Sequence, residues 1–251
     1  MRPPAVLVLR AAEDAPPLES ALEQAGMEPL RLPLLAFEPG GDAEAFSRAL
    51  RESGTDWVFV TSRRAVPAVA AARPFQARVA AVGPGTAAAL EAAGVKVDIL
   101  AEGVGAPALL GAFAAAVGTA ERAGVQRILW PTSDQALSLP SRLPDELAAM
   151  GHELLAFEAY RTRLLKPARE VFEEAVARAA AAIFTSPSTV RALREAAEAH
   201  GLTESCLSLP AVCFGGRTER ALNAAGFRRI IATGDATPAS LVEALKAEIV
   251  P

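Results

Sequence analysis

The stretch AIFTSPSTVRALREA, residues 182–196, decides the fold together with its counterpart VFVTSRRAVPAVAAA, residues 58–72. Each begins with a short apolar run, continues through a Thr-Ser pair and ends in a segment with helical character. A continuous apolar run without polar alternation is typical of a parallel strand that is buried on both faces. The two stretches therefore predict two strand–turn–helix units of the same kind within one chain.

The same alternation of an apolar run and a helical segment recurs along the sequence. Each leads into a turn and then a helix-like stretch, and they are AVLVL (5–9), WVFV (57–60), VAAV (79–82), AAIF (181–184) and AVCF (211–214). Strands that alternate with helices form open parallel sheets with right-handed crossovers. The predicted fold class is α/β, with two similar flavodoxin-like parallel-sheet domains.

Two more internal matches support the duplication. The segment AVGPGTAAALEAAGVKV (81–97) resembles VCFGGRTERALNAAGFRRI (212–230), because both contain Gly-x-x-Thr, then Ala-Leu, then Ala-Gly. The segment GAPALLGAF (105–113) parallels ATPASLVEAL (236–245), each with a proline where a helix begins. Three matches in the same order are hard to obtain by chance, so the chain contains two related domains.

The pentapeptide LLAFE occurs twice, at 34–38 and 154–158, each time after a helix, a glycine and a strand. We interpret the copies as the points where the chain leaves the first domain and returns to it. The prediction is a discontinuous domain of residues 1–33 plus 162–251, an inserted domain of residues 40–153, and linker strands 34–39 and 154–161. We expect the two linker strands to pair antiparallel as the hinge of a bilobal molecule.

Composition excludes several classes of protein. The chain has 251 residues, 51% of them hydrophobic, which suits two cores. A net charge of −4 argues against a nucleic-acid surface, and no apolar run is long enough for a membrane span. The N-terminal sequence lacks a signal pattern, so we expect a cytoplasmic protein, and a monomer. Cys206 and Cys213 fit reduced structural thiols, and His152 and His200 stand in no metal-ligand pattern.

The strand ends supply the candidate ligand-binding residues. In open α/β sheets, ligands bind outside the carboxyl ends of the strands, and helix N-termini there offer free N–H groups to anions. The alternative is simple capping, since Ser and Thr are preferred N-caps of any helix. Similar loops in both domains favour a polyanion-binding cleft between them. The candidate residues are Arg10, Thr61, Ser62, Arg63, Gly83, Gly85, Thr86, Pro131, Thr132, Ser133, Thr185, Ser186, Ser188, Gly215, Gly216, Arg217 and Thr218.

The chain offers few catalytic groups. It contains no nucleophile elbow, P-loop or dinucleotide fingerprint, and we interpret Glu38 and Glu158 as solvated linker residues. Tyr160, the only tyrosine, follows the second LLAFE copy in the segment AYRT. Its phenol could donate a proton to a leaving group or serve only as a packing side chain, and both alternatives stay open.

The ordered set VFVTSRRAV, VGPGT, ELLAFEAYRT, FTSPS, FGGRT and ATPASLVEAL resembles the uroporphyrinogen-III synthase family over essentially the whole chain. The resemblance implies an enzyme without metal or organic cofactor that cyclises hydroxymethylbilane to uroporphyrinogen III in tetrapyrrole biosynthesis. The reaction loses water and inverts the last ring through a spiro intermediate. The substrate carries eight carboxylates, which matches loops suited to anions, and Tyr160 corresponds to the family tyrosine proposed as the acid.

The chain departs from the family pattern at two motifs, and an alternative function is also open. FGGRT replaces the commoner Gly-Pro-Thr-Thr pattern, and Arg63-Arg64 stands where the family often has Pro or Asn. The partner implied is hydroxymethylbilane as substrate, with a transient contact to hydroxymethylbilane synthase left open. The rival function is a non-catalytic sensor or regulator that keeps the fold and a polyanion cleft.

Overall fold

The computed structural model describes residues 2–52, 54–103, 105–138, 141–235 and 237–249. Within these ranges the strands are β1 (Ala5–Val8), β2 (Glu28–Arg31), β3 (Leu35–Pro39), β4 (Trp57–Val60), β5 (Arg78–Val82), β6 (Ile99–Ala101), β7 (Arg127–Ser133), β8 (Glu153–Leu164), β9 (Ala179–Phe184), β10 (Ala211–Phe214) and β11 (Ile230–Thr233). The five apolar runs identified in the sequence become β1, β4, β5, β9 and β10, so these strand predictions are confirmed.

The helices fill the intervals between the strands. They are α1 (Pro16–Gln24), α2 (Ala43–Arg51), α3 (Val66–Ala71), α4 (Pro84–Ala92), α5 (Gly105–Ala116), α6 (Ala120–Ala123), α7 (Asp134–Ser138), α8 (Arg142–Ala149), α9 (Arg169–Arg178), α10 (Pro187–His200), α11 (Thr203–Ser208), α12 (Arg217–Ala225) and α13 (Pro238–Ile249). The predicted helices at 105–113 and 236–245 correspond to α5 and α13, although Ala236 itself lies outside the described residues.

The strands form two sheets. One has five strands in the order β11-β10-β9-β1-β2, and all of its neighbouring pairs are parallel. Counted along the chain, this is the 2-1-3-4-5 order of flavodoxin-like sheets. The other has six strands in the order β3-β8-β7-β4-β5-β6. The predicted α/β class with parallel sheets is therefore confirmed.

The second sheet has the same arrangement with the chain entering at a different strand. Strands β8, β7, β4, β5 and β6 stand in the places that β2, β1, β9, β10 and β11 occupy in the first sheet. Its pairs β8–β7, β7–β4, β4–β5 and β5–β6 are all parallel. The internal matches of the sequence follow this correspondence, since the match of 58–72 to 182–196 pairs β4 with β9.

Both faces of each sheet are covered by helices, which explains the uninterrupted apolar runs. In β1, Leu7 packs into the core on one face and Val6 into the core on the other. In β4, Val58 and Phe59 likewise belong to opposite cores. A strand buried on both faces needs apolar side chains at every position rather than at alternate ones.

The chain divides into two compact units, and the sheets divide with it. Unit 1 comprises Met1–Ala36 and Arg163–Pro251, and unit 2 comprises Phe37–Thr162. The passage from one unit to the other therefore lies within β3, and the return lies within β8. Strand β3 contains the first LLAFE copy except for Leu34, and β8 contains the whole second copy. The second copy therefore does not follow a separate strand, as we expected, but is part of the strand that begins at Glu153.

Strands β3 and β8 are antiparallel neighbours. The Leu165 N–H donates to the Leu34 carbonyl at 2.9 Å, and the Gly40 N–H donates to the Ala159 carbonyl at 3.0 Å, so numbering rises on one strand as it falls on the other. Segment 154–161 is more than a linker strand, however. It also pairs in parallel with β7 from Glu153 to Tyr160, because its other edge is needed to satisfy the N–H and C=O groups of β7.

Candidate functional site

Tyr160 lies in β8 opposite Ser133, the last residue of β7, where the register between the two strands shifts. Its side chain is half-buried, and its ring meets the ring of Phe37 edge to face, with the centroids 6.2 Å apart. Phe37 comes from β3, the strand next to β8. The carboxyl end of β7 and the pairing with β3 thus place the phenol at the edge of the sheet where ligands bind in α/β folds.

Phe37 also contacts an arginine that is absent from the candidate residues predicted from the sequence. The Cζ atom of Arg64 lies 3.7 Å from the centroid of the Phe37 ring. The sequence gives little indication of this contact, because Phe37 and Arg64 are 27 positions apart and share no motif. The pairing of β3 with β8 brings Phe37 to Tyr160, and the position of β4 in the same sheet brings Arg64 within reach of Phe37.

Carboxylates hold the backbone of β8 on both sides of Tyr160. The Asp42 carboxylate accepts from the N–H of Glu158 at 2.9 Å, and the Asp134 carboxylate accepts from the N–H of Thr162 at 3.1 Å. Glu158 itself accepts from the Gly41 N–H and pairs with Arg161 at 2.7 Å. With its side chain 18% exposed, Glu158 is not the solvated linker residue that we expected. Glu158 anchors β8 because Gly41, in the loop after β3, donates to its carboxylate.

The loop after β4 contains three of the predicted site residues. Thr61 accepts a hydrogen bond from the Trp130 indole N–H at 3.2 Å. Ser62 caps a short 3-10 turn, Arg63–Ala65, by accepting from the Arg64 N–H at 3.2 Å. Arg63 is exposed, whereas Arg64 is half-buried against Phe37. The two neighbouring arginines therefore have different surroundings.

The loops after β5 and β7 differ in what they expose. Gly83 is the N-cap of α4 with φ of 75°, and Gly85 is exposed in the first turn. Thr86 is only 8% exposed and Thr132 only 2%, so neither hydroxyl faces open solvent. Pro131, Thr132 and Ser133 all lie within β7 rather than in a loop, and the Ser133 hydroxyl accepts from the Ala136 N–H.

Unit 1 presents its own set at the carboxyl edge of its sheet. Ser186 caps α10 by accepting from the Thr189 N–H at 3.3 Å, with Thr185 and Ser188 half-buried on either side. After β10, Gly216 is the N-cap of α12 with φ of 69°, and Arg217 is exposed. Three more predicted residues lie in unit 1. Arg10 follows shortly after β1 and is half-buried, Gly215 lies directly before Gly216, and Thr218 is buried.

The repeated Gly-x-x-Thr motif has the same structural role in both units. The Gly83 N–H donates to the Ala101 carbonyl at the end of β6, and the Gly215 N–H donates to the Thr233 carbonyl at the end of β11. Each glycine thus ties the strand before it to the neighbouring edge strand. In α4 and α10 the first residue is a proline, which has no N–H, and the N–H groups of Thr86 and Thr189 bond to Gly83 and Ser186. The first-turn N–H groups of Gly85 and Ser188, and that of Arg217 in α12, can bind anions.

Both cysteines belong to a core of unit 1, whereas His152 is a buried polar residue and His200 is half-buried. Burial raises the pKa of Cys206 and of Cys213 to about 11, so both thiols stay protonated at neutral pH. His152 accepts from the Gln126 N–H and contacts the Gly118 carbonyl. Among the described residues, no group of three or more His, Cys, Asp and Glu side chains is placed to hold a metal ion. In the same ranges, none of the helices combines the length and the apolar character needed to span a bilayer.

Comparison with known proteins gives this geometry a context. The model of the family described as "Uroporphyrinogen-III synthase HemD" matches residues 16–243. The chain belongs to the uroporphyrinogen-III synthase family. The resemblance indicated by the sequence motifs is thus confirmed.

Individual relatives agree with the family. A chloroplastic uroporphyrinogen-III synthase of Oryza sativa subsp. japonica is 36% identical over 89 residues, which is 34% of this chain and 29% of the rice protein. A mutant uroporphyrinogen III synthase from the extremely thermophilic bacterium Thermus thermophilus has a TM-score of 0.57 at 22% identity, with 98% of this chain and 100% of that chain covered. A uroporphyrinogen-III synthetase from Helicobacter pylori has a TM-score of 0.64 at 15% identity, with coverage of 98% and 99%. At these identities the two structures establish the shared fold.

Proposed function

We propose that the protein is a uroporphyrinogen-III synthase that cyclises hydroxymethylbilane to uroporphyrinogen III without a cofactor. The observation that carries the proposal is the family match over residues 16–243. The geometry agrees with it, because the one tyrosine of the chain lies at the carboxyl end of a parallel sheet, beside loops that open helices.

Tyr160 has the chemistry that the first step requires. Its phenol donates a proton to the terminal hydroxyl of the bilane as the C–O bond breaks, and the hydroxyl leaves as water. The resulting azafulvene cation on the first ring is attacked by the substituted carbon of the last ring, which forms the spiro intermediate. That intermediate opens and recloses as the type III isomer, and the proton released on closure balances the one that the phenol gave.

Fixing Tyr160 in space is the main task of its surroundings. The flanking N–H groups of Glu158 and Thr162 are held by Asp42 and Asp134, so the strand that carries the phenol has little freedom. The attack that gives type III must outrun direct head-to-tail closure, which gives type I. A rigid phenol and a folded substrate favour the productive contact through positioning rather than through a strong acid.

Substrate binding falls to the loops in this proposal. The N–H groups of Gly85, Ser188 and Arg217, in the first turns of α4, α10 and α12, offer donors and positive dipole ends to carboxylates. Ser62 and Ser186 hydroxyls are committed to capping, so the backbone donors carry more of the binding than these side chains do. The exposed guanidinium groups of Arg63 and Arg217 add charge at the same sheet edges.

The test is the isomer composition of the product. Purified protein is supplied with hydroxymethylbilane, the product is oxidised, and the type I and type III uroporphyrins are separated by chromatography. We expect type III to predominate. Formation of type I alone, at the rate of the protein-free control, would show that the chain is not a synthase and would favour the sensor hypothesis. Cytoplasmic localisation, a monomeric state and a transient contact with hydroxymethylbilane synthase remain predictions.

A further inference from the structure

Three side chains from separate segments of unit 2 meet at Phe37, and one of them is the proposed acid. Arg64 lies over one face of Phe37 at 3.7 Å, and Phe37 meets Tyr160 at 6.2 Å with the ring planes inclined by 66°. Arg64 comes from the loop after β4, Phe37 from β3 and Tyr160 from β8. Phe37 therefore contacts both a guanidinium group and the ring of the phenol.

The position of Arg64 is set by its backbone as well as by the ring. The Ser62 hydroxyl accepts from the Arg64 N–H at 3.2 Å, and the Ser62 carbonyl accepts from the Ala65 N–H at 3.0 Å. Ala65, the next residue, is fully buried. A side chain that starts from a fixed turn and lies on a ring face has lost much of its rotamer freedom before any ligand arrives.

A guanidinium held in this way is suited to bind a carboxylate. A guanidinium that stacks on an aromatic face keeps its N–H donors in the plane of the group, and this planar fork matches the two oxygens of a carboxylate. The entropic cost of binding is small because the group is already ordered. Lysine in the same place would supply charge but neither the planar fork nor the stacked geometry.

We propose that Arg64 binds one carboxylate of the substrate and that Phe37, which contacts both Arg64 and Tyr160, positions this carboxylate relative to the phenol. The inference deepens the proposed function and rests on it. Arg64 then fixes the part of the bilane next to the departing hydroxyl, while Phe37 acts as a positioning residue. The Arg63-Arg64 pair departs from the usual family pattern, and this proposal gives Arg64 a specific role.

The test compares Arg64→Gln with Arg78→Gln. Arg78 is a matched control because its Cζ atom also lies over an aromatic ring, that of Trp57 at 4.1 Å, but at the amino end of β5. We expect Arg64→Gln to raise KM about tenfold, the effect of losing one charge-assisted contact, while kcat changes by less than about threefold. Arg78→Gln should leave both constants within about twofold of the wild type.

Two more variants keep the proposal falsifiable. Arg64→Lys should give a KM between those of the wild type and Arg64→Gln, and Phe37→Leu should raise KM although Arg64 is intact. If Arg64→Gln keeps the KM of the wild type, the proposal is wrong. If lysine restores KM fully, the role of Phe37 is refuted. Thermal unfolding of each variant separates these effects from a loss of folded protein.

A binding experiment distinguishes failure of this inference from failure of the proposed function. Uroporphyrin III, which carries eight carboxylates, is titrated into wild-type protein and into both glutamine variants, with tryptophan fluorescence as the readout. We expect Arg64→Gln, and not Arg78→Gln, to weaken binding. Equal affinity in all three proteins would overturn the carboxylate contact whichever isomer the wild type forms. A type III product together with equal affinity leaves the synthase function standing.

Discussion

Phe37 and Phe157 occupy the same position in two identical pentapeptides and have different neighbours. Phe157 packs edge to face on Phe46, with the centroids 5.6 Å apart, at the margin of a core of unit 2. Phe37 instead carries Arg64 on its face and touches Tyr160. The difference arises because β8 is an interior strand of its sheet whereas β3 is at the edge. Identical local sequence therefore gives one core residue and one residue beside the candidate site.

Tyr160→Phe is the most direct test of the acid. The change removes one oxygen and keeps the ring that contacts Phe37, so the fold should be unaffected. We expect kcat to fall at least about tenfold, because general acid catalysis typically contributes more than that, while KM stays near its wild-type value. Steady-state kinetics with hydroxymethylbilane and a thermal unfolding curve are the measurements. An unchanged kcat would assign the proton to a substrate carboxyl or to water.

At the scale of elements, the contact between β8 and the loop after β3 leaves no space for a side chain at Gly40. A Cβ built there would lie 2.0 Å from the carbonyl oxygen of Glu158 and 2.8 Å from the carbonyl carbon of Ala159. Both are backbone atoms, which cannot move aside as a flexible side chain can. Gly41, the next residue, has open space around the same position. The adjacent glycines of PGGD thus provide a matched pair.

We expect Gly40→Ala to lower the free energy of unfolding by about 3 kcal/mol, the upper part of the range for overpacking, because the two chain segments must separate. Gly41→Ala should change it by less than about 0.5 kcal/mol, since its N–H contact to Glu158 is kept. Urea unfolding followed by circular dichroism measures both. Equal stability of the two variants would mean that the segments can separate at little cost.

The whole molecule is built from one sheet arrangement used twice, with the chain entering the second copy at a different strand. Unit 2 is inserted between β2 and β9 of unit 1, and the two connections run side by side, as the hydrogen bond from Leu165 to Leu34 shows. Insertions are tolerated where the two ends of the interrupted chain lie close together. Unit 1 thus needs only a short connection to be continuous.

This organisation predicts that unit 1 folds after unit 2 is removed. A chain in which Ala36 is joined to Arg163 by about four Gly and Ser residues should span the gap without strain. We expect a helix-and-strand circular dichroism spectrum, a cooperative urea transition and no formation of uroporphyrinogen III, since Tyr160 is deleted. A non-cooperative transition would show that unit 1 depends on unit 2 for its stability.

Local chemistry along the chain was enough to determine much of this protein. Continuous apolar runs identify β1, β4, β5, β9 and β10, because a strand covered on both faces can hold nothing else. Ser62 and Ser186 were recognisable as turn and cap residues, since capping depends on positions two or three residues away. The order of the motifs was enough to indicate the family.

Only the tertiary structure decided how these parts meet. The contacts of Phe37 with Arg64 and Tyr160, the closeness of Gly40 to Glu158 and the burial of Thr132 all depend on which strands become neighbours. The local sequence likewise predicts that segment 154–161 is a linker, whereas its pairing with β7 makes it an interior strand of the sheet. Sequence periodicity records whether a residue is buried, but contacts between distant residues are set by strand order and register, which no local pattern encodes.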